Sequence, residues 1–138
     1  MNRKTVLALI GAIAIAALTS GAALAASAGP AVTVQIKTPA KTLVNTTVHG
    51  ETGWITKGGT PKGKCSGNSG AGALDAATHG KWSGKYYSSV PGIFVTSILG
   101  VKPKSPHYWT ILVDGKPGKG ICDIKLKAGE KLLFKIHK

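Results

Sequence analysis

Two cysteines, four histidines and five carboxylates are the groups from which this chain could assemble a nucleophile, a general base or a metal site. Their spacing argues against each. His49, His79, His107 and His137 lie far apart, with neither the i, i+4 nor the His-x-His interval that lets imidazoles share one metal. Glu51, Asp75, Asp114, Asp123 and Glu130 are scattered, and no two are placed for paired acid/base work. Gly58 to Cys65 reads GGTPKGKC and approaches a phosphate-binding loop. It puts a thiol where that loop needs a hydroxyl to hold Mg²⁺, and Pro61 interrupts it. Gly63 to Gly67, GKCSG, imitates a nucleophile elbow, a geometry that depends on a strand-to-helix corner in a large α/β sheet. The chain reads as a protein without catalytic machinery, metal or cofactor.

The cysteines have a better use. Arg3 and Lys4, the apolar run Val6 to Leu18 and the small-x-small triplet Ala23-Leu24-Ala25 spell a secretory signal peptide over residues 1–25. An uncleaved anchor over Val6 to Ala25 is the competing reading, opposed by Gly11, Thr19, Ser20 and Gly21. An even cysteine count in an exported chain reads as one disulfide, Cys65 to Cys122. Loop-closure entropy values such a link at about 4 kcal/mol.

Export leaves sixteen lysines against five acids and no arginine, because Arg3 is the chain's only one. Lysine supplies a hydrated point charge and lacks the planar fork that reads guanine edges or clamps a phosphate. Sequence-specific nucleic-acid recognition is therefore not expected. A cationic face resting on an anionic cell-surface polymer is compatible with this composition. Nine lysines against three acids fall between Lys102 and Lys138, a balance that a solvated sheet face also explains. Trp54, Trp82, Tyr86, Tyr87, Tyr108 and Trp109 hold most of the aromatic content, largely near turns. Core packing accounts for some of them, Trp109 first, since it alternates with Ile111 and Val113. The functional reading is a rim of rings for a flat ligand or a sugar, with Trp82, Tyr86, Tyr87, Tyr108 and Trp109 as candidates.

These groups need elements to position them. Residues 26–31 read as a mobile small-residue leader, and 32–138 as one domain. Val32, Val34 and Ile36 alternate with polar residues, and Leu43 to Val48 is a second strand, paired through a turn at Thr38 to Lys41. Trp54-Ile55-Thr56 is a short strand or a loop anchored by its tryptophan. Lys57 to Gly72 is a glycine-rich loop held by Cys65. Ser69 then caps a short helix through Ala77, with Ala73, Leu74 and Ala77 on its apolar face and Gly80 as its stop. Ile93 to Leu99 is strand-like with mixed faces, and Lys102 to Pro106 is a basic, proline-broken connection. Tyr108 to Val113 is the clearest strand, ending in an Asp114-Gly115 turn. Ile124-Lys125-Leu126 and Leu132 to Ile136 complete the sheet. The order argues for α+β, a β-grasp-like, mostly antiparallel sheet packed on one short helix and stapled by one disulfide; a β-sandwich is the alternative.

The series CSGNSGAGALDAAT, Trp82, FVTSILG, YWTILVDGKPGKGIC and LKAGEKLLF resembles the transcobalamin-like C-terminal domain family. The resemblance runs from about Val32 to Phe134. It implies a β-grasp domain which, in transcobalamin and intrinsic factor, closes over cobalamin beside a larger helical barrel, and which recurs in secreted bacterial proteins. The family usually carries Asn-Gly and Gly-Asp where this chain has Asp114-Gly115 and Gly129-Glu130, and the helical barrel is missing here. Together the readings describe a secreted, monomeric, non-catalytic binding or adhesion module, extracellular or at the cell envelope, with no membrane anchor once the signal peptide is removed. Its partner is an unknown small molecule or an anionic cell-surface polymer. A binder of cobalamin or another planar molecule, alone or with a helical partner, is the alternative.

Overall fold

A computed structural model describes residues 29–90 and 92–138. The expected signal peptide and residues 26–28 of the expected leader lie outside the described residues. The rest of that leader is tied down: the Gly29 N–H donates to the Gly50 carbonyl, the Gly50 N–H to that of Pro30, and Ala31 already begins a strand.

Strand β1 (Ala31–Lys37) buries Val32, Val34 and Ile36 and turns Thr33, Gln35 and Lys37 the other way. The period-2 pattern thus decides the inward face. β2 (Thr42–His49) returns antiparallel after a turn in which the Thr38 N–H donates to the Lys41 carbonyl. A bulge between Ile36 and Lys37 absorbs one extra residue. β7 (Lys131–His137), the last strand, takes the centre of the sheet. It lies parallel to β1 and antiparallel to β5 (Tyr108–Val113), and β6 (Lys116–Pro117) closes the order β2-β1-β7-β5-β6. Leu132 and Phe134 on β7 are fully buried because strands cover both its edges and the core covers its inner face. The Asp114-Gly115 turn has positive φ at both residues, 49° and 80°, as a two-residue hairpin with right-handed strand twist demands.

Helix α1 (Gly70–Thr78) packs on β1 and β2 with Ala71, Ala73 and Leu74 fully buried. Its N-terminus is satisfied differently from the expectation. Ser69 occupies the cap position, but its hydroxyl donates to the Ser66 carbonyl and makes no capping bond. The free N–H groups of Gly70 and Ala71 go instead to the carbonyls of Ile124 and Ile121. That use also explains a corrected strand. Ile124-Lys125-Leu126 does not join the sheet; it spends its backbone on the helix start, bridging only Ser69 through Lys125. At the other end His79 adopts the left-handed cap, and the Gly80 N–H returns to the Asp75 carbonyl.

Cys65 and Cys122 are bonded, their Cα atoms 4.9 Å apart, so the glycine-rich loop is fixed to the segment that caps the helix. The backbone approach there is close. A Cβ on Gly72 would fall inside the Gly67 carbonyl, which leaves glycine alone able to stand there. The loop before it is anchored by Ile55, which is buried, and not by Trp54, which is largely exposed.

Trp82–Tyr87 and Gly92–Ile98 form β3 and β4, a separate antiparallel pair. Among the described residues no helix is long and apolar enough to cross a membrane.

Candidate functional site

Period-2 geometry puts Ile93 and Val95 of β4 into the core, and by the same rule turns Phe94 outward. Phe94 is 47% exposed, and the ring of Tyr108 from β5, 41% exposed, lies 6.4 Å from it at a tilt of 41°. Tyr108 is in turn stacked on His137, its register partner across β5 and β7. Three clefts share Phe94 as a wall. One of about 240 Å³ lies between β4 and β5, with Trp109, Ile111 and Phe134 at its floor and Lys119 to Ile121 at its rim. A second, of about 370 Å³, runs past Tyr87 and Val90 to Asp123. A third, of about 110 Å³, lies between Phe94, Tyr108, Lys102 and His107.

Backbone polarity adds to this. The Ile111 carbonyl accepts from Gly118, so its hydrogen-bonding direction is away from β7. Strand alternation gives Trp109 the same direction, toward the first cleft and beyond the reach of two-residue β6. The cleft therefore combines an apolar floor, two exposed rings and main-chain polar groups at one strand edge.

The expected aromatic set divides. Tyr108 and Trp109 reach the first cleft and Tyr87 the second. Trp109 contributes as floor: it is 5% exposed, with its indole N–H donating to the Val101 carbonyl at 3.0 Å. Tyr87 carries Lys85 over its ring, 5.3 Å from the centroid. Tyr86 is half-buried against the core. Trp82 lies elsewhere, 4% exposed, and its indole N–H donates to Asp75 at 2.7 Å. Lys57 sits over the Trp82 ring and donates to the carbonyls of Gly80 and Trp82, which makes this corner a structural latch between loop, helix and β3. Phe94 is the residue that sequence reasoning missed. Its signal was present, a large ring on the polar face of an alternating strand.

The acids and histidines form no reactive cluster. Among the described residues no three His, Cys, Asp or Glu side chains gather to hold a metal. Both sulfurs are consumed in the disulfide. Glu51 has its carboxyl pushed above the ordinary 4.5 by burial first and the Asp75 carboxylate second.

A family profile described as a domain of unknown function, DUF4430, matches residues 70–138. The chain belongs to this DUF4430 family. No curated protein matches the chain. Among solved structures, one described as haptocorrin in complex with Cbi aligns over 79% of this chain at TM-score 0.59 and 18% identity. The chain covers 25% of haptocorrin. A "putative metal binding protein" from Ruminococcus gnavus ATCC 29149 aligns over 79% of this chain and 97% of its own, at TM-score 0.54 and 11% identity. At these identities the likeness is one of fold, an α+β fold shared with the aligned part of haptocorrin. The DUF4430 match begins at the first residue of α1 and contains Tyr87, Phe94, Tyr108, Trp109 and Cys122. Cys65 and the β1–β2 hairpin precede it.

Proposed function

We propose that this DUF4430 protein is a secreted, non-catalytic binding or adhesion module of the cell envelope that holds its ligand in the clefts around Phe94. The observation that carries this reading is the placement of Phe94 and Tyr108, two large exposed rings facing each other over an apolar floor. Ring faces left in water favour planar or sugar ligands, which recover the lost contact by stacking. Cleft size narrows the ligand. Enclosed small-molecule sites run from about 300 to 1,000 Å³. The 240 Å³ cleft is smaller, so it takes one ring or one sugar and leaves the rest of a larger ligand outside. Sulfurs locked in a disulfide and separated acids support binding over catalysis, and the disulfide supports an oxidising, extracellular setting.

The test is titration with soluble wall oligosaccharides and with planar heterocycles, followed by backbone NMR shifts and tryptophan emission. Shifts confined to β4, β5 and Gly118 to Ile121, lost in Phe94→Ala, are expected. Shifts elsewhere, or unchanged binding by that variant, would overturn the reading.

The alternative ligand is cobalamin. The observation that favours it is the fold shared with haptocorrin, whose structure is described in complex with Cbi. This chain spans 25% of haptocorrin, so the described residues would offer a corrinoid one wall and a helical partner would supply the other. Cobalamin binding only when such a partner is added would favour this second reading.

A further inference from the structure

On the outward face of the large sheet, the face that also carries Tyr108 and His137, a row of residues crosses four strands at one end. Lys37 of β1 is in register with Thr42 of β2 on one side and Lys135 of β7 on the other, and Lys135 is paired with Thr110 of β5. Lys41 stands at the turn beside Thr42. An open groove of about 540 Å³ follows this end, lined by Lys37, Thr38, Leu133, Lys135, His137 and Lys138.

Charge on this face is one-sided. None of the five strands carries an acid. Among the described residues the one ion pair is Lys57 with Asp75, so Lys37 and Lys135 have no carboxylate within reach. The nearest acids along β7 lie at its far end: Glu130 precedes the strand, and Asp114 accepts from the Lys131 N–H. Five residues of strand separate Glu130 from Lys135, about 17 Å at the usual rise. That is roughly two Debye lengths at physiological salt. Adjacent strands are only about 4.8 Å apart, and like charges directly opposite each other destabilise a sheet. Two like charges therefore stand on neighbouring strands with no ion-pair partner among the described residues.

We infer that this row is a docking site for a linear polymer carrying a phosphodiester in each repeat. Lys37, Lys135 and Lys138 line the groove and Lys41 stands at its turn, more ammonium groups than one phosphate meets, so a chain of successive anions engages the row better than a single ion. Ammonium groups suit singly charged diester oxygens, which need no bidentate fork. The flanking Thr42 and Thr110 hydroxyls add neutral donors for sugar or glycerol oxygens. The row adjoins the Phe94 clefts at Thr110, but neither Lys37 nor Lys135 lines one of them, so the site stands or falls without them.

Binding of the full exported chain to poly(glycerol phosphate) tests this across a salt series. Two phosphate contacts give a log–log slope of about −1.4, with each lysine accounting for about 0.7 of it. Lys37→Gln/Lys135→Gln is expected to bind at least about tenfold more weakly with a flattened slope, and to melt no lower than the parent because a repulsion has gone. Lys125→Gln/Lys127→Gln changes net charge equally and is expected to bind like the parent, as is Phe94→Ala. No binding by the parent overturns the site, and equal weakening by both lysine pairs reduces it to net charge, which overturns it too. Equal affinity for polygalacturonate, or preference for phosphatidylglycerol vesicles, overturns the phosphodiester assignment.

Discussion

Tyr108 lies flat against His137, ring centroids 5.0 Å apart and planes 9° from parallel, as direct neighbours across β5 and β7. The stack holds the Tyr108 ring upright, so its other side is offered to Phe94 and the cleft between them.

This arrangement separates a binding residue from a folding residue. Tyr108→Ala is expected to cost about 0.5–1.5 kcal/mol from the lost stack beyond its buried area. Phe94→Ala removes a ring that supports little of the core and is expected to shift the melting midpoint far less. Both variants should lose ligand. Urea melts alongside ligand titrations check the split, and a Phe94→Ala variant as destabilised as a core truncation would contradict it.

The Cys65–Cys122 bond restrains the glycine-rich loop across 57 residues of sequence. Cys65→Ser/Cys122→Ser is expected to lose about 4 kcal/mol, a large fraction of the roughly 5–15 kcal/mol that holds an ordinary domain together. Chemical denaturation with and without reductant reads it. Cys65 is fully buried and Cys122 half-buried, so reduction should be slower in the folded protein than in moderate urea.

Gly72 decides whether the helix can start where it does. Alanine in a helix normally gains about 1 kcal/mol over glycine. Here the added methyl meets the Gly67 carbonyl in a fully buried position, and overpacking of that kind costs about 1–3 kcal/mol. Because the obstacle is backbone, Gly72→Ala should be net destabilising by denaturation, reversing the usual sign.

Glu51 gives a pH signature. Burial and Asp75 raise its carboxyl in the folded state, so the folded protein holds the proton more tightly than the unfolded chain. Stability from this group is present below 4.5 and is lost as pH rises through the folded value. Glu51→Gln should thus be more stable than the parent at neutral pH and equal to it well below 4.5. Melting temperatures across pH test this; a constant difference at every pH would refute the assignment.

Much of the architecture could be read from residue order. Alternation marked β1, β5 and β7, a run of apolar residues and threonines marked β2, Asp114-Gly115 marked its hairpin, and an even cysteine count in a chain read as exported marked the disulfide. Each is a local rule, complete within a few residues or a count. Ile124 to Leu126 looks like a strand by that same rule, and its real partners, the Gly70 N–H at the start of α1 and the Asn68 carbonyl before it, stand more than fifty residues earlier.

The aromatic site shows the same limit. Composition marked Trp82 and Tyr108 alike as rings near turns, and alternation was enough to turn Phe94 outward. Only packing sent Trp82 inward to Asp75, because the helix offers a carboxylate at that depth, and brought Phe94 across to Tyr108 from the other sheet. A run of lysines was legible as charge. That Lys37 and Lys135 stand side by side follows from the parallel pairing of the first and last strands, a long-range contact that no local pattern encodes.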